Sequence, residues 1–236
     1  MPVPEDILYE DTHFLILNKR EFRPVQEDRS GDPSLLKELL EDPRWKMDSR
    51  GGITHRLDRP VLGVIVFART GEALAAFNRL LVKGPITKIY WAAVEKEPPA
   101  PEGILKDWLV KDGKRNLARV VKGPGKGAKE AHLEYRVLGK TERYWLLEIH
   151  LITGRHHQIR VQLAHMGCPV KGDVKYGARR SNPGGGIHLF SRRISFPHPF
   201  TGKPVTVTAE PPEDPLWNCF PREEAGDESA ADQPRL

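Results

Sequence analysis

The sequence predicts an α+β fold: a mixed, largely antiparallel central sheet flanked by helices. Strand-like and helix-like stretches interleave without a strict β-α-β rhythm, and several strands are separated only by turns. No Gly-x-Gly-x-x-Gly opens a helix after a strand, and no Gly-x-x-x-x-Gly-Lys followed by Ser or Thr occurs, so dinucleotide-binding and P-loop folds have no support. No internal repeat is present. With 236 residues, 39% of them hydrophobic, the chain can build a substantial core. It is expected to form one domain over 1–220, followed by an acidic, disordered tail over 221–236.

Residues 7–11 and 14–19 read as two short strands around an Asp-Thr-His turn. Asp32 and Pro33 supply an N-cap and a first-turn proline, after which Leu35, Leu36, Leu39 and Leu40 recur at helical spacing until Pro43. Residues 61–68 are rich in β-branched and aromatic side chains, as a buried strand requires. Thr70 caps a helix with Leu74, Phe77 and Leu81 on one face, and Gly84-Pro85 ends it. Residues 86–95 return to strand, and the prolines of 98–101 break it. The stretch 111–129 holds Gly113, Gly123, Gly125 and Gly127 with little apolar content, so much of it is expected to be a mobile basic loop between hairpin strands. Residues 131–138 and 144–152 follow as strands, the second placing Trp145, Leu147, Ile149 and Leu151 on one face. A helical period over 157–166 turns Ile159, Leu163 and Met166 inward, and a glycine turn at 182–186 precedes the last strands, 187–196 and 204–209.

Lysine and arginine total 37 against 32 acids, a formal charge of +5. Residues 222–236 hold five of the acids and two arginines, so the body carries +8. The charge is clustered: 111–129 has seven basic residues and one acid, and 155–180 has six and one. A basic body suits a polyanionic partner, nucleic acid first; a merely basic solvated surface accounts for the charge equally well. No apolar run nears the ~20 residues of a membrane span, so no membrane partner is expected. The opening Met-Pro-Val-Pro-Glu-Asp lacks the basic and apolar regions of a leader, which predicts a cytoplasmic protein. Cys168 and Cys219 lie far apart and outside any Cys-x-x-Cys, against a disulfide scaffold, a zinc finger or an iron–sulfur site. A monomer is the default expectation.

Two segments concentrate polar groups beyond what a plain structural role needs. The first, Gly51-Gly52-Ile53-Thr54-His55-Arg56-Leu57-Asp58-Arg59-Pro60, feeds the buried strand at 61–68, and such a loop delivers side chains to a fixed spot at a sheet edge. Asp58, flanked by Arg56 and Arg59, would be held ionised; taken alone, the segment reads as well as a turn with local ion pairs. In the second, Thr153-Gly154-Arg155-His156-His157-Gln158-Ile159-Arg160, a strand ends and a helix begins, leaving free backbone amides beside Arg155 for a phosphate. No metal is expected, because His157 and His165 miss the helical spacing of a ligand pair. A Gly-x-Ser-x-Gly elbow is absent, and Cys168 within Met-Gly-Cys-Pro reads as a buried, inert thiol.

Together, His55-Arg56-Leu57-Asp58 ahead of Gly63, Lys88-Ile89-Tyr90-Trp91-Ala92, and the 153–160 string followed by Gly172-Asp173 and Tyr176-Gly177 resemble the RluA-type pseudouridine synthases, in the same order and over roughly residues 6–212. The resemblance implies the pseudouridine synthase catalytic fold and an isomerase acting on uridine in ribosomal or transfer RNA, with no metal or organic cofactor. It further implies that Asp58 is the catalytic nucleophile at the ribose C1′ side, with a covalent sugar adduct and abstraction of a ribose proton to give a glycal both open, that Arg56 helps displace the base, that Tyr90 packs on the uracil and assists proton removal at C5, and that Arg160 pairs with Asp58. His55, Arg155, His157 and Gln158 join Arg56 as candidate substrate-binding residues. The physics agrees: a stacked uracil must be flipped out to be reached, and a long planar guanidinium suits bracing the gap. An aromatic ring gives the detached base a flat wall, and a paired arginine opposes protonation of a carboxylate in a dry pocket. A single carboxylate also suits an isomerase that retains its leaving base, whereas glycoside hydrolysis needs an acid and a base.

The chain departs from the family pattern in three places. Val61-Leu62-Gly63 replaces the Thr-Ser-Gly of many relatives, and Arg20-Glu21-Phe22 follows Asn18-Lys19 in place of a Pro-Ala-Gly turn. The catalytic motif starts near residue 55, leaving no room for a separate N-terminal RNA-binding domain, so substrate choice is expected to rest on loops such as 111–129. Two rival readings are a catalytically silent RNA-binding or assembly factor on the same fold and a base-removing N-glycosylase, which would leave an abasic product.

Overall fold

The computed structural model describes residues 6–28 and 30–220; the expected acidic tail lies outside the described residues. Among the described residues one sheet of eleven strands organises the chain: β1 (Ile7–Glu10), β2 (Phe14–Lys19), β3 (Gly52–Ile53), β4 (Leu62–Ala68), β5 (Thr87–Val94), β6 (Glu102–Asp112), β7 (Leu117–Val121), β8 (Ala128–Lys140), β9 (Trp145–Leu151), β10 (Leu189–Pro197) and β11 (Pro204–Thr208). Their spatial order is β1-β2-β4-β10-β5-β9-β8-β6-β7, with β3 added to β4 and β11 to β10. Only β4 and β10 pair in parallel; the other pairings are antiparallel, as expected of a mixed, largely antiparallel sheet.

The central strands are buried on both sides, which explains why 61–68 and 86–95 read as continuous apolar runs rather than as alternating ones. Leu15, Leu17, Ile65, Phe67, Tyr90, Ala92, Leu147 and Ile149 face one core, which also receives Leu35 and Leu39 from α1 (Leu35–Glu41) and Ile159 and Leu163 from α3 (Gln158–His165). Their sequence neighbours Phe14, Ile16, Val64, Val66, Trp91 and Ala93 face the opposite core, closed by Ala73 and Phe77 of α2 (Gly71–Lys83) and Trp217 of α4 (Pro215–Asn218). The period-two alternation of a strand therefore places Tyr90 on the face that carries α3.

Three local expectations need correction. Helix α1 is capped by Ser34, whose Oγ accepts from Lys37 N at 3.3 Å, because the Asp32 carboxylate is drawn instead to the Arg59 guanidinium. The face of α2 that is buried consists of Ala73, Ala76 and Phe77, while Leu81 is exposed at the helix end. The basic stretch 111–129 is turn over 113–116 and 122–127, between hairpin strands as expected, but it is not one loop: β7 sits in its middle and pairs with β6 from Trp108↔Val121 to Asp112↔Leu117, and β6 in turn pairs with β8. Few apolar residues suffice there because the arm needs only a small core, in which Leu109, Ala118 and Ala131 pack with Val161 of α3. The turns flanking β7 carry exposed Lys114, Arg115, Lys122 and Lys126, and the strands carry exposed Lys111, Arg119 and Lys129.

Gly63 follows Leu62 in the parallel pairing and lies opposite Ser191 with φ +107, and a Cβ there would collide with the Ser191 backbone. A side chain is thus excluded both by backbone conformation and by space. Gly63→Ala is expected to lower stability by about 2–3 kcal/mol in urea unfolding, since it combines left-handed strain with displacement of β10.

Candidate active site

Asp58 lies on the loop that enters β4, and that loop is tied down from three sides. Thr54 donates through its N–H (3.1 Å) and Oγ1 (3.0 Å) to Val66 O. Buried Lys19 donates from Nζ to Arg59 O (2.9 Å) and Val61 O (2.7 Å), and Ile187 N donates to Pro60 O at 3.2 Å. Burial, with the nearby Arg23 charge, pushes the Lys19 ammonium down to about 7. Leu57 and Val61 sink into the core on either side of Asp58, whose side chain keeps 25% exposure and faces a cleft shared with Arg56, Tyr90, Arg155, Arg160 and Leu189.

Arg160 projects from α3 and is itself buried. Its Nη1 donates to Asp58 Oδ2 at 3.0 Å, while Nε and Nη2 donate to Asp173 Oδ2 (2.6 Å) and Oδ1 (2.8 Å). The guanidinium also lies over the Tyr176 ring, 5.1 Å from its centroid. Burial disfavours the charged form of Arg160, but the hydrogen bonds and negative charge of Asp173, joined by Asp58, outweigh it and raise its pKa. The helix was expected to bury Ile159, Leu163 and Met166; in fact every residue from Gln158 to Leu163 is buried, and Met166 only partly. The buried polar side chains are tolerated because they are hydrogen-bonded, Arg160 as above and Gln162 to Leu105 O and Asp107.

His157 takes a left-handed conformation (φ +52) at the start of α3 and turns its ring toward Asp58. Tyr176 accepts from Ala118 N–H at 2.8 Å and lies 2.8 Å from His157 Nδ1, while His157 Nε2 lies 3.5 Å from Asp58 Oδ2. Burial, then the Arg160 charge, pushes His157 down to about 2, which makes the contact with Asp58 a neutral one. The Tyr90 hydroxyl is pushed up to about 12 by burial and by the Asp58 charge, against an opposing hydrogen bond to Ser191. Tyr90 therefore stays protonated at neutral pH.

The other expected site residues differ in placement. Arg56 and Arg155 are exposed at the cleft, Arg155 held by an Nε donation to Glu130 O at 2.8 Å. Gln158 lines the cleft, and its Oε1 accepts from Thr153 Oγ1 (2.8 Å) and Arg155 N (2.9 Å) while its Nε2 donates to His132 O (3.1 Å), so the amide braces the turn that carries Arg155. His55 is not part of the lining; its Nε2 is buried without a partner, and burial with the Lys88 charge pushes it down to about 3. Asp173 and Tyr176 belong to strings already legible in the sequence, but their role in holding Arg160 and His157 depends on a contact across the fold. Lys19 likewise offered no signal beyond its place after a strand.

Helical spacing alone could not reveal two His/Asp groupings. Asp58, His156 and His157 bring ligand-type atoms within 4.8 Å, and so do Asp11, His13 and His198. In the first, the Arg160 guanidinium already occupies Asp58, and its charge opposes a cation. In the second, Asp11 Oδ2 accepts from Tyr9 and His198, a contact that ties the β1–β2 turn to the end of β10.

A carboxylate held by a buried arginine thus lies beside a protonated tyrosine in a cleft on an α+β sheet. The family model for RNA pseudouridylate synthase matches residues 13–165, and the chain belongs to that family. It is an isomerase that acts on RNA. Ribosomal large subunit pseudouridine synthase D of Xylella fastidiosa is 34% identical over 227 residues, covering 90% of this chain and 67% of that protein. The RNA pseudouridine synthase YlyB of Bacillus subtilis is 31% identical, covering 90% and 71%. Human RNA pseudouridylate synthase domain containing 4 shares the fold, with a TM-score of 0.71 at 23% identity over 88% of this chain and 89% of that one.

The depressed pKa of His157 has a consequence for acid stability. The unfolded imidazole takes a proton near pH 6.5, while the native one stays neutral to about 2, so this contribution is complete above pH 6.5 and declines as pH falls below it. Between pH 6.5 and about 4, His157→Gln is expected to lose less melting temperature than the unsubstituted protein, measured by circular dichroism.

Proposed function

We propose that this enzyme converts uridine to pseudouridine in large-subunit ribosomal RNA, with Asp58 as nucleophile and residues 1–220 as the catalytic domain. The observation that carries the reading is the Asp58–Arg160–Asp173 bridge beside Tyr90. The Asp58 carboxylate attacks C1′, forming an ester as the N1–C1′ bond breaks and the uracil leaves as an anion. The detached base turns against the Tyr90 ring until C5 faces C1′. C5 then bonds to C1′, the ester bond breaks to restore Asp58, and the C5 proton is removed while N1 takes one up, leaving an isomer of the starting nucleotide. While Asp58 is esterified its charge is gone, which removes one of the two causes that raise the Tyr90 pKa and makes the hydroxyl a better proton carrier at that stage.

Arg160 supports the nucleophile by orienting one oxygen of Asp58, with Asp173 locking the guanidinium plane through a bidentate pair. Arg56, exposed beside the cleft, is suited to the space vacated by the flipped base. Phosphate contacts are assigned to the β6–β8 arm, where Lys111, Lys114, Arg115, Arg119, Lys122 and Lys126 are all exposed. The arm borders the site through Ala118, whose N–H donates to Tyr176.

Asp58→Asn is expected to reduce pseudouridine formation by at least ~1000-fold, the scale of losing a covalent nucleophile, with RNA affinity within about threefold. Carbodiimide mapping of ribosomal and transfer RNA from a deletion strain, complemented with either form, checks this; a site restored equally by both would remove Asp58 from the mechanism. A site lost from transfer RNA alone would move the substrate. Replacing Lys114, Arg115, Lys122 and Lys126 with Gln is expected to flatten the plot of log affinity against log salt by roughly 0.7–0.9 per lost phosphate contact, read from filter binding. An unchanged slope would place the phosphate contacts elsewhere.

A further inference from the structure

Phe22 sits where this chain departs from its family's pattern, and it is one of the few large apolar side chains left exposed (37%). Its ring lies across the glycine turn ahead of β10. A Cβ at Gly186 would overlap the ring, and one at Gly184 would reach it at 3.8 Å. The ring thus has one side seated on bare backbone. Its own segment is held firmly: Lys19 and Val25 are buried on either side of it, and Arg23 Nη1 donates to both oxygens of Glu38 on α1 at 2.8 Å.

Both supports of the ring are fastened to the residues that immediately follow Asp58. Lys19 donates to the carbonyls of Arg59 and Val61, Asp32 pairs with Arg59 at 2.5 Å, and Ile187, next to Gly186, donates to Pro60 O. Val25, Val61 and Ile187 share the core cluster of Tyr90, which puts Phe22 on the catalytic side of the sheet. Arg59, exposed next to Asp58 in the chain, brings a guanidinium paired with Asp32 to this rim.

We propose that Phe22 is a stacking platform for a nucleobase of the RNA strand next to the target uridine. The inference rests on the RNA uridine reading above and deepens it by adding a subsite. Flipping a uridine into the cleft unstacks its neighbour in the strand, and a fixed aromatic face beside the cleft replaces the lost stacking partner. The ring is held in place before RNA arrives, so little ordering opposes the contact. Stacking tolerates any base, so the subsite contributes affinity and positioning rather than a sequence code.

The test uses the full chain with large-subunit ribosomal RNA tritiated at uridine C5, following tritium release. Phe22→Leu keeps an apolar cover over the glycine turn but removes the π-face, whereas Phe22→Tyr keeps both. Expected is a KM about tenfold higher for Phe22→Leu, with kcat within about twofold and an unchanged melting temperature, and a KM near the original for Phe22→Tyr. Equal KM values for Phe22→Leu and the unsubstituted protein would overturn the subsite while leaving the uridine reading intact. A lower melting temperature together with equal losses in Phe22→Leu and Phe22→Tyr would assign the ring to folding alone and also overturn it. Absence of tritium release from the unsubstituted protein would instead overturn the uridine reading, and the subsite with it.

Discussion

One guanidinium shared by two carboxylates underlies the rest of this site. Arg160 gives its fork to Asp173 and its remaining Nη1 to Asp58, and Arg160 and Asp173 are almost wholly removed from water. Stripping such charges of solvent costs several kcal/mol per ion, and losing one partner of a buried pair costs about 3–5 kcal/mol, so the arrangement persists only where the fold holds all three groups in register. The sharing also has a chemical result. Asp173 occupies the bidentate face of the arginine, and Asp58 is left with a single orienting bond instead of a closed ion pair. Its carboxylate is fixed but still exposed enough to meet a ribose.

The sheet supplies the register. Strand alternation sends Tyr90 to the same core as α3, while Trp91 and Ala93 anchor β5 in the opposite core. The loop carrying Asp58 has little regular structure of its own, and buried Lys19 stands in for the missing strand partners by donating to two of its carbonyls. Tyr176 links three parts at once: it accepts from the basic arm at Ala118, orients His157 and lies under Arg160. The basic strand arm is therefore mechanically continuous with the residues around Asp58.

Much of the scaffold was legible because its signals are local. The apolar strand at 61–68, the Thr70 cap and the alternation of Leu147, Ile149 and Leu151 depend only on neighbours a few residues away. Within the basic stretch 111–129 the turns were legible but β7 was not, because glycine and lysine content describes exposure, while β7 forms through pairing with β6 and the packing of Ala118 on α3. Asp32 misled for a related reason: an N-cap signature cannot compete with an arginine brought from Arg59. The bracing of the 153–155 turn by the Gln158 amide and the burial of His55 Nε2 had no local signal either, because both depend on partners brought in by the fold.

By itself, then, the sequence determined the class of sheet, the order of the motifs, the family they resemble and the identity of Asp58, Tyr90 and Arg160 as the groups to watch, since residue type and short spacing carry those. Only the tertiary structure decided that Asp173 locks Arg160, that Tyr176 holds the His157 ring, that Lys19 pins the Asp58 loop and that Phe22 lies on a glycine turn beside it. Each of these is a contact between segments far apart in the chain. Their geometry follows from sheet order and core packing, which no local pattern of residues encodes.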